Sequence, residues 1–189
     1  MCRMTEVSSL TGRLLVATPA LADPNFDRAV VLLLDHDDEG SLGVVLNRPT
    51  PVTVGDVLAA WAGLAGEPGV VFQGGPVSLD AALGLAVIPG DEGPLGWRRV
   101  FGAIGLVDLE TPPELLGPAL GALRIFAGYA GWGPGQLETE LTEGAWYVVD
   151  SEPGDVSSPT PETLWRQVLR RQRGELAMIA TYPDDPSLN

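Results

Sequence analysis

One stretch, residues 123–146 (LRIFAGYAGWGPGQLETELTEGAW), constrains the fold of this chain more than any other. Residues 123–127 form a short apolar run bounded by glycine, the pattern of a buried strand. Residues 128–135 then crowd four glycines together with Tyr129, Trp132 and Pro134, a density that predicts a loop. Pro134 suits the first turn of a helix, and Leu137 and Leu141 at i, i+4 give that helix one apolar stripe. Gly144 is placed to stop it, and residues 146–149 read as a further strand. Strand, glycine loop, short helix and strand in succession make a place where backbone can approach a partner closely.

Around this stretch the chain is punctuated at short intervals. Residues 14–17 are a first strand, cut off by Pro19, and Asp23-Pro24-Asn25-Phe26 predicts a turn with Phe26 packed inward. Residues 29–34 and 42–46 are continuous apolar runs joined by the polar segment 35–41, which predicts a hairpin. Neither run alternates with polar residues, so both faces of this pair are expected to be covered and the pair to lie centrally. Thr53 begins a predicted helix with Asp56 at its third position and an apolar stripe of Val57, Leu58, Trp61 and Leu64. Strands are expected at 70–72, 83–88 and 102–107, with a turn around Pro89-Gly90-Asp91, and a short helix at 113–120. The last predicted helix is capped by Thr160, lined by Leu164, Trp165, Val168 and Leu169, and stopped by Gly174. Hairpins mixed with short helices, without repeat or internal boundary, predict an α+β fold with a mixed sheet. Residues 1–189 read as one compact domain, with 1–10 and 184–189 expected to fray.

Charge narrows the chemistry. Lys+Arg 11 against Asp+Glu 25 gives −14, and every basic residue is arginine. Without lysine there is no Schiff base, no P-loop lysine and no lysine general base. A charge of −14 disfavours direct nucleic-acid binding unless basic residues are segregated. Arg166, Arg170 and Arg173 could make such a stripe on the last predicted helix, with Arg171 beside it. Cations at a helix C-terminus are also favoured by the helix dipole alone. The single cysteine, Cys2, permits no intramolecular disulfide and no thiolate cluster. The longest strongly apolar run, 29–34, is too short to span a bilayer, and the first residues lack a signal-peptide core, so a cytoplasmic location is expected.

Several constellations invite a function. Asp35, Asp37, Glu39 and Gly40 match the start of an EF-hand loop, but position twelve is Leu46, so a solvated turn is expected and no metal site. His36, the sole histidine, has Ser41 and Asp35 nearby in sequence, yet an exposed turn is a poor place for a catalytic triad and a surface histidine is expected. The glycine segment imitates a dinucleotide fingerprint, with Gln136 in place of the third glycine, Pro134 lacking an amide, and Glu138 and Glu140 repelling phosphate. Arg28 and Arg48 should emerge together at the open end of the hairpin beside Asn47, where two guanidiniums could hold a carboxylate or phosphate, or neutralise a nearby acid such as Asp23 or Asp27.

In sequence order, Gly12-Arg13-Leu14-Leu15-Val16-Ala17 with Pro19, Asp23-Pro24-Asn25-Phe26 with Arg28, Gly43-Val44-Val45-Leu46-Asn47-Arg48-Pro49, Gly74-Gly75-Pro76-Val77, and Gly128-Tyr129-Ala130-Gly131-Trp132 leading to Gly135-Gln136-Leu137-Glu138 form a specific series. With Leu164-Trp165 it resembles the AlgH/YqgE family of small bacterial proteins over nearly the whole chain. The resemblance implies a compact α+β fold whose mixed sheet is partly curled into a barrel surrounded by short helices. It implies no catalytic residue and no cofactor. One branch of that family is labelled a transcriptional regulator of alginate production. The expected function is regulatory and non-enzymatic, through a protein or small-molecule partner. Its expected surface comprises Arg28, Asn47, Arg48, Gly74, Gly75, Tyr129, Trp132 and Gln136. The alternatives are a small hydrolase or transferase with Glu138 as base and Arg28 or Arg48 holding an anionic substrate, and a nucleic-acid regulator using the stripe from Arg166 to Arg173.

Overall fold

The computed structural model describes residues 9–21, 23–90 and 93–181. Cys2, the expected frayed ends other than Ser9 and Leu10, and Asp91 of the expected turn lie outside these. Ten strands form one sheet in the order β10-β1-β2-β3-β9-β6-β8-β7, with β5 set against β9 and β4 against β5. They are β1 (Arg13–Ala17), β2 (Val30–Asp37), β3 (Gly40–Val45), β4 (Pro49–Thr53), β5 (Val70–Gln73), β6 (Val77–Val87), β7 (Trp97–Phe101), β8 (Ile104–Val107), β9 (Ala122–Trp132) and β10 (Trp146–Asp150). The β5–β9 pairing is parallel and the others are antiparallel, so the sheet is mixed. The fold is α+β, as the sequence pattern implied, and its sheet curls into a half-barrel flanked by short helices, as the resemblance implied.

The central position of the β2–β3 hairpin follows from its composition. Val30, Leu32 and Leu34 of β2 enter one apolar cluster, whereas Val31 and Leu33 enter another on the opposite face. A strand with both faces buried has no room for polar alternation. The turn is tighter than expected. Asp37 pairs with Gly40, so Asp35, His36 and Asp37 belong to β2 and only Asp38 and Glu39 make the turn.

The largest departure concerns the glycine segment. Residues 128–132 are strand, not loop: β9 runs on to Trp132, and the loop shrinks to residues 133–135. β9 pairs with β6 and β5 through its first part and with β3 through Ala130, Gly131 and Trp132, which joins the two halves of the sheet. Its glycines serve strand crossing. A side chain on Gly75 would lie 2.2 Å from the Tyr129 carbonyl, and one on Gly128 would lie 2.6 Å from the Gly75 oxygen.

The helices are shorter than the apolar spacing suggests. α1 (Val54–Val57) ends at Leu58, and a 3₁₀ turn carries Trp61 into a third apolar cluster. Residues 113–120 form two 3₁₀ turns instead of a helix. α2 (Gln136–Thr142) buries Leu137, and α3 (Pro153–Val156) carries a reciprocal Glu152–Asp155 capping box. The last expected helix opens as a 3₁₀ turn, Pro161–Thr163, and continues as α4 (Leu164–Arg170), ending before Gly174 at φ +72; α5 (Glu175–Ile179), beyond that glycine, was not expected. Strand β7 was not expected, and β6 begins at Val77 instead of 83. No helix among the described residues is long and apolar enough to cross a membrane.

Candidate functional site

The open end of the β2–β3 hairpin brings three arginines, Arg28, Arg48 and Arg166, around one hollow. Asn25 N–H donates to Asp23 Oδ1 at 2.8 Å, closing a side-chain turn that leads to Arg28. Arg28 has φ +56, an uncommon conformation for a residue with a side chain. Asn47 holds it there: its Nδ2 donates to the Arg28 carbonyl at 2.9 Å, and its Oδ1 accepts from Val30 N–H at 3.0 Å. Asn47 therefore closes the hairpin mouth with a side chain that acts as a strand partner. The two strands deliver Arg28 and Arg48 to the same end, as the hairpin pattern predicts.

Arg48 Nη2 donates to the Asp27 carbonyl. Burial lowers the Arg48 pKa from its ordinary value, and the charge of Asp27 partly opposes that shift. From α4, the buried Trp165 presents its ring to two cations, Arg28 at 4.4 Å and Arg166 at 5.8 Å from the ring centroid. Trp165 is itself fixed by its indole N–H, which donates to the Ala17 carbonyl at 2.8 Å. These groups, with Asp27, Pro49 and Glu162, line a hollow of about 280 Å³. Three guanidiniums from three segments meeting over one aromatic wall can receive a carboxylate or phosphate by charge-assisted hydrogen bonds.

The remaining expected site residues lie elsewhere. Gly74 and Gly75 sit where β5 and β6 cross β9: Gly74 N–H donates to the Ala127 carbonyl, and Gly74 O accepts from Val45 N–H. Tyr129 is half-buried beside the core. Trp132 stacks on Phe26 at 6.4 Å and meets Trp146 edge-on at 6.2 Å, and Phe26 does pack inward. Both indole N–H groups donate to Glu140 Oε1, whose other oxygen accepts from Gln136 Nε2. Gln136 Oε1 accepts from Gly133 N–H. Trp132 and Gln136 thus tie α2 to the end of β9, away from the arginine hollow.

His36 is not at the surface. Its side chain is 3% exposed, with Nδ1 2.6 Å from Ser41 Oγ and Nε2 3.4 Å from Glu138 Oε2. The bulge between Leu33 and Asp35 turns it inward under α2, while Asp35 and Asp37 point out. Glu138 therefore stands at the closed end of the hairpin, on the order of 20 Å of strand from Arg28 and Arg48. The arrangement of a Glu138 base with an arginine-held substrate does not form. Among the described residues, no three His, Cys, Asp or Glu side chains are grouped to hold a metal ion.

Of the arginine stripe, Arg166 and Arg170 share α4, and the exposed Arg173 follows beyond its end. α4 ends at Arg170, and Arg166 belongs to the hollow. Arg171 is bound bidentately by Asp155 at 2.6 and 2.7 Å and contacts Glu152 at 3.2 Å. Arg124, by contrast, escaped notice in the sequence. It is 1% exposed, stacks on Phe72 at 4.2 Å, and donates to the Glu67 and Ser158 carbonyls at 2.9 Å each. Among the described residues its Nε and Nη1 have no partner, and burial pushes its pKa down to about 10. Two-residue alternation would have found it: Arg124 shares a face of β9 with Phe126, inside a run that otherwise reads as core.

The chain is thus a small α+β half-barrel with an arginine-lined hollow at one end of its central hairpin and a buried histidine at the other. The chain belongs to the AlgH-like family, whose model matches residues 14–177. A UPF0301 protein of Streptomyces coelicolor is 84% identical over 193 residues, covering 100% of both chains. One of Thermobifida fusca is 53% identical over 96% of each. Among solved structures, a protein from Corynebacterium diphtheriae superposes with TM-score 0.87 at 30% identity, over 96% of this chain and 95% of that one. The solution structure of the AlgH protein from Pseudomonas aeruginosa superposes with TM-score 0.69 at 26% identity, over 97% and 100%.

Proposed function

We propose that this protein is a cytoplasmic, regulatory binding protein that works without turnover. Its arginine hollow takes an anionic small molecule or an acidic segment of a protein partner. The observation that carries the proposal is the meeting of Arg28, Arg48 and Arg166 around Trp165 in one hollow of a chain with net charge −14. In so acidic a molecule the mean field repels anions, so a local cluster of cations is a specific feature. Asn47 spends both its polar atoms on holding the backbone of Arg28 and Val30, which fixes the hollow before a ligand arrives. Glu138, the carboxylate considered as a base, is engaged with His36 at the far end of the hairpin.

Calorimetry and thermal-shift measurements with phosphate monoesters, di- and tricarboxylates and an acidic peptide test the proposal. A saturable hit is expected whose affinity falls at least tenfold in Arg48→Ala and in Arg28→Ala. A hit bound equally by wild type and both variants would place the ligand elsewhere and overturn the reading.

A further inference from the structure

A second hollow, of about 380 Å³, lies on the other side of the sheet between the β4–α1 corner and the first part of β6. Its origin is a break in pairing: β6 follows β9 from Ala82 to Val87 but contacts it again only at Val77, leaving residues 78–81 lifted off the ladder. Ser78 takes φ +50 to make the arch, and Leu79 leans toward Gly128. Beneath the arch Ile125 and Ala127 form an apolar floor, and Val52, Val57 and Leu79 form the walls. These three wall residues are 42%, 55% and 53% exposed, although nothing in their own elements requires apolar side chains toward solvent. The Thr50 hydroxyl is spent on the Val71 carbonyl at 2.6 Å, so the walls offer little polar competition. Asp80 is the one ionisable residue in the lining among the described residues.

We propose that this hollow binds a small amphiphilic amine, its apolar body on Ile125 and Ala127 and its ammonium beside Asp80. The volume falls in the range of small-molecule sites, and an apolar lining with one oriented charge is the usual composition of such a site. The sign of the head group follows from Asp80, with no basic residue in the lining among the described residues. The apolar surface supplies the affinity, and the exposed Asp80 supplies a modest preference among head groups, roughly two- to fivefold.

Three probes sharing one tail test this: decylammonium, decanol and decanoate, each below its micellar concentration, titrated by amide NMR and calorimetry. Saturable shifts are expected at Leu79, Ile125 and Ala127, with affinity falling from ammonium to alcohol to carboxylate. Ala82→Trp, at an exposed position in the lining, should weaken all three at least tenfold without lowering the melting temperature. If it impairs folding, Val57→Asp serves the same purpose. Asp80→Asn should abolish the ammonium–alcohol difference while leaving decanol unchanged. The proposal is overturned if no probe gives saturable shifts in this hollow. It is equally overturned if the ammonium preference survives in Asp80→Asn, which would assign that preference to the net charge. Sedimentation showing a dimer that Val57→Asp dissolves would give the surface to a second copy and overturn the ligand.

Discussion

A buried arginine without a carboxylate is the residue whose behaviour the structure constrains most tightly. Arg124 gains two carbonyl hydrogen bonds and a contact with Phe72, against desolvation of a charge with two N–H groups unpartnered. Removing it strands the Glu67 and Ser158 carbonyls, so Arg124→Met should cost about 2–4 kcal/mol in denaturant unfolding. Burial holds its folded pKa at about 10, below the ordinary arginine value, so above pH 10 the unfolded chain binds more protons at this site. Wild-type stability relative to Arg124→Met should therefore rise as pH climbs above about 10 toward the ordinary arginine range, and be flat below about pH 9. A difference that falls over that window would mean the guanidinium is stabilised by a charge partner. Arg28 and Arg48 were legible in the sequence because they flank an apolar hairpin, whereas Arg124 shows only through its alternation with Phe126 inside an apolar run. His36 was misread for a related reason: nearby acids suggested a solvated turn, and the bulge that turns the ring inward has no local sequence signature.

At the scale of elements, β9 decides the architecture, and its glycines mark contacts between chain segments, not looseness. Gly128 has φ +75 and abuts the Gly75 carbonyl; Gly75 abuts the Tyr129 carbonyl. Gly128→Ala combines a left-handed backbone with a steric clash and should cost more than about 2 kcal/mol, lowering the melting temperature without changing the denaturant slope. Gly154→Ala is the matched control, since nothing lies within 4 Å of the added methyl group. It sits inside α3, where alanine should be neutral or stabilising by up to about 1 kcal/mol. Equal melting temperatures for the two variants would show that the crossing tolerates a side chain. Glycine density is ambiguous in sequence for this reason: a flexible loop and a tight strand crossing both require missing Cβ atoms. Continuity of β9 through Trp132 became visible only with its partner β3 in place. The broken helices have a similar cause, because apolar spacing across residues 57–64 records contact with the core and is equally met by a turn followed by a 3₁₀ segment.

Over the whole molecule, the sheet keeps two of its polar constellations apart. Arg28 and Arg48 stand at the open end of the hairpin, His36 and Glu138 at its closed end, and β2 and β3 between them are packed on both faces. Perturbations at sites separated by more than about 7–10 Å without shared partners add within about 0.3–0.5 kcal/mol. His36→Ala strands Ser41 Oγ and opens a void under α2, so it should destabilise by about 1–3 kcal/mol. Arg48→Ala, at a half-buried rim, should cost about 1 kcal/mol or less. The double variant should lose the sum of the two. The same separation governs function: Glu138→Gln should leave anion affinity at the arginine hollow within twofold of wild type, while Arg48→Ala removes it. A turnover mechanism uniting Glu138 with the arginines requires the reverse, a loss in Glu138→Gln comparable to that in Arg48→Ala. A coupling energy above about 1 kcal/mol in the stability cycle, or a large Glu138 effect on binding, would show that the hairpin transmits strain between its ends, and the two sites would then have to be treated as one.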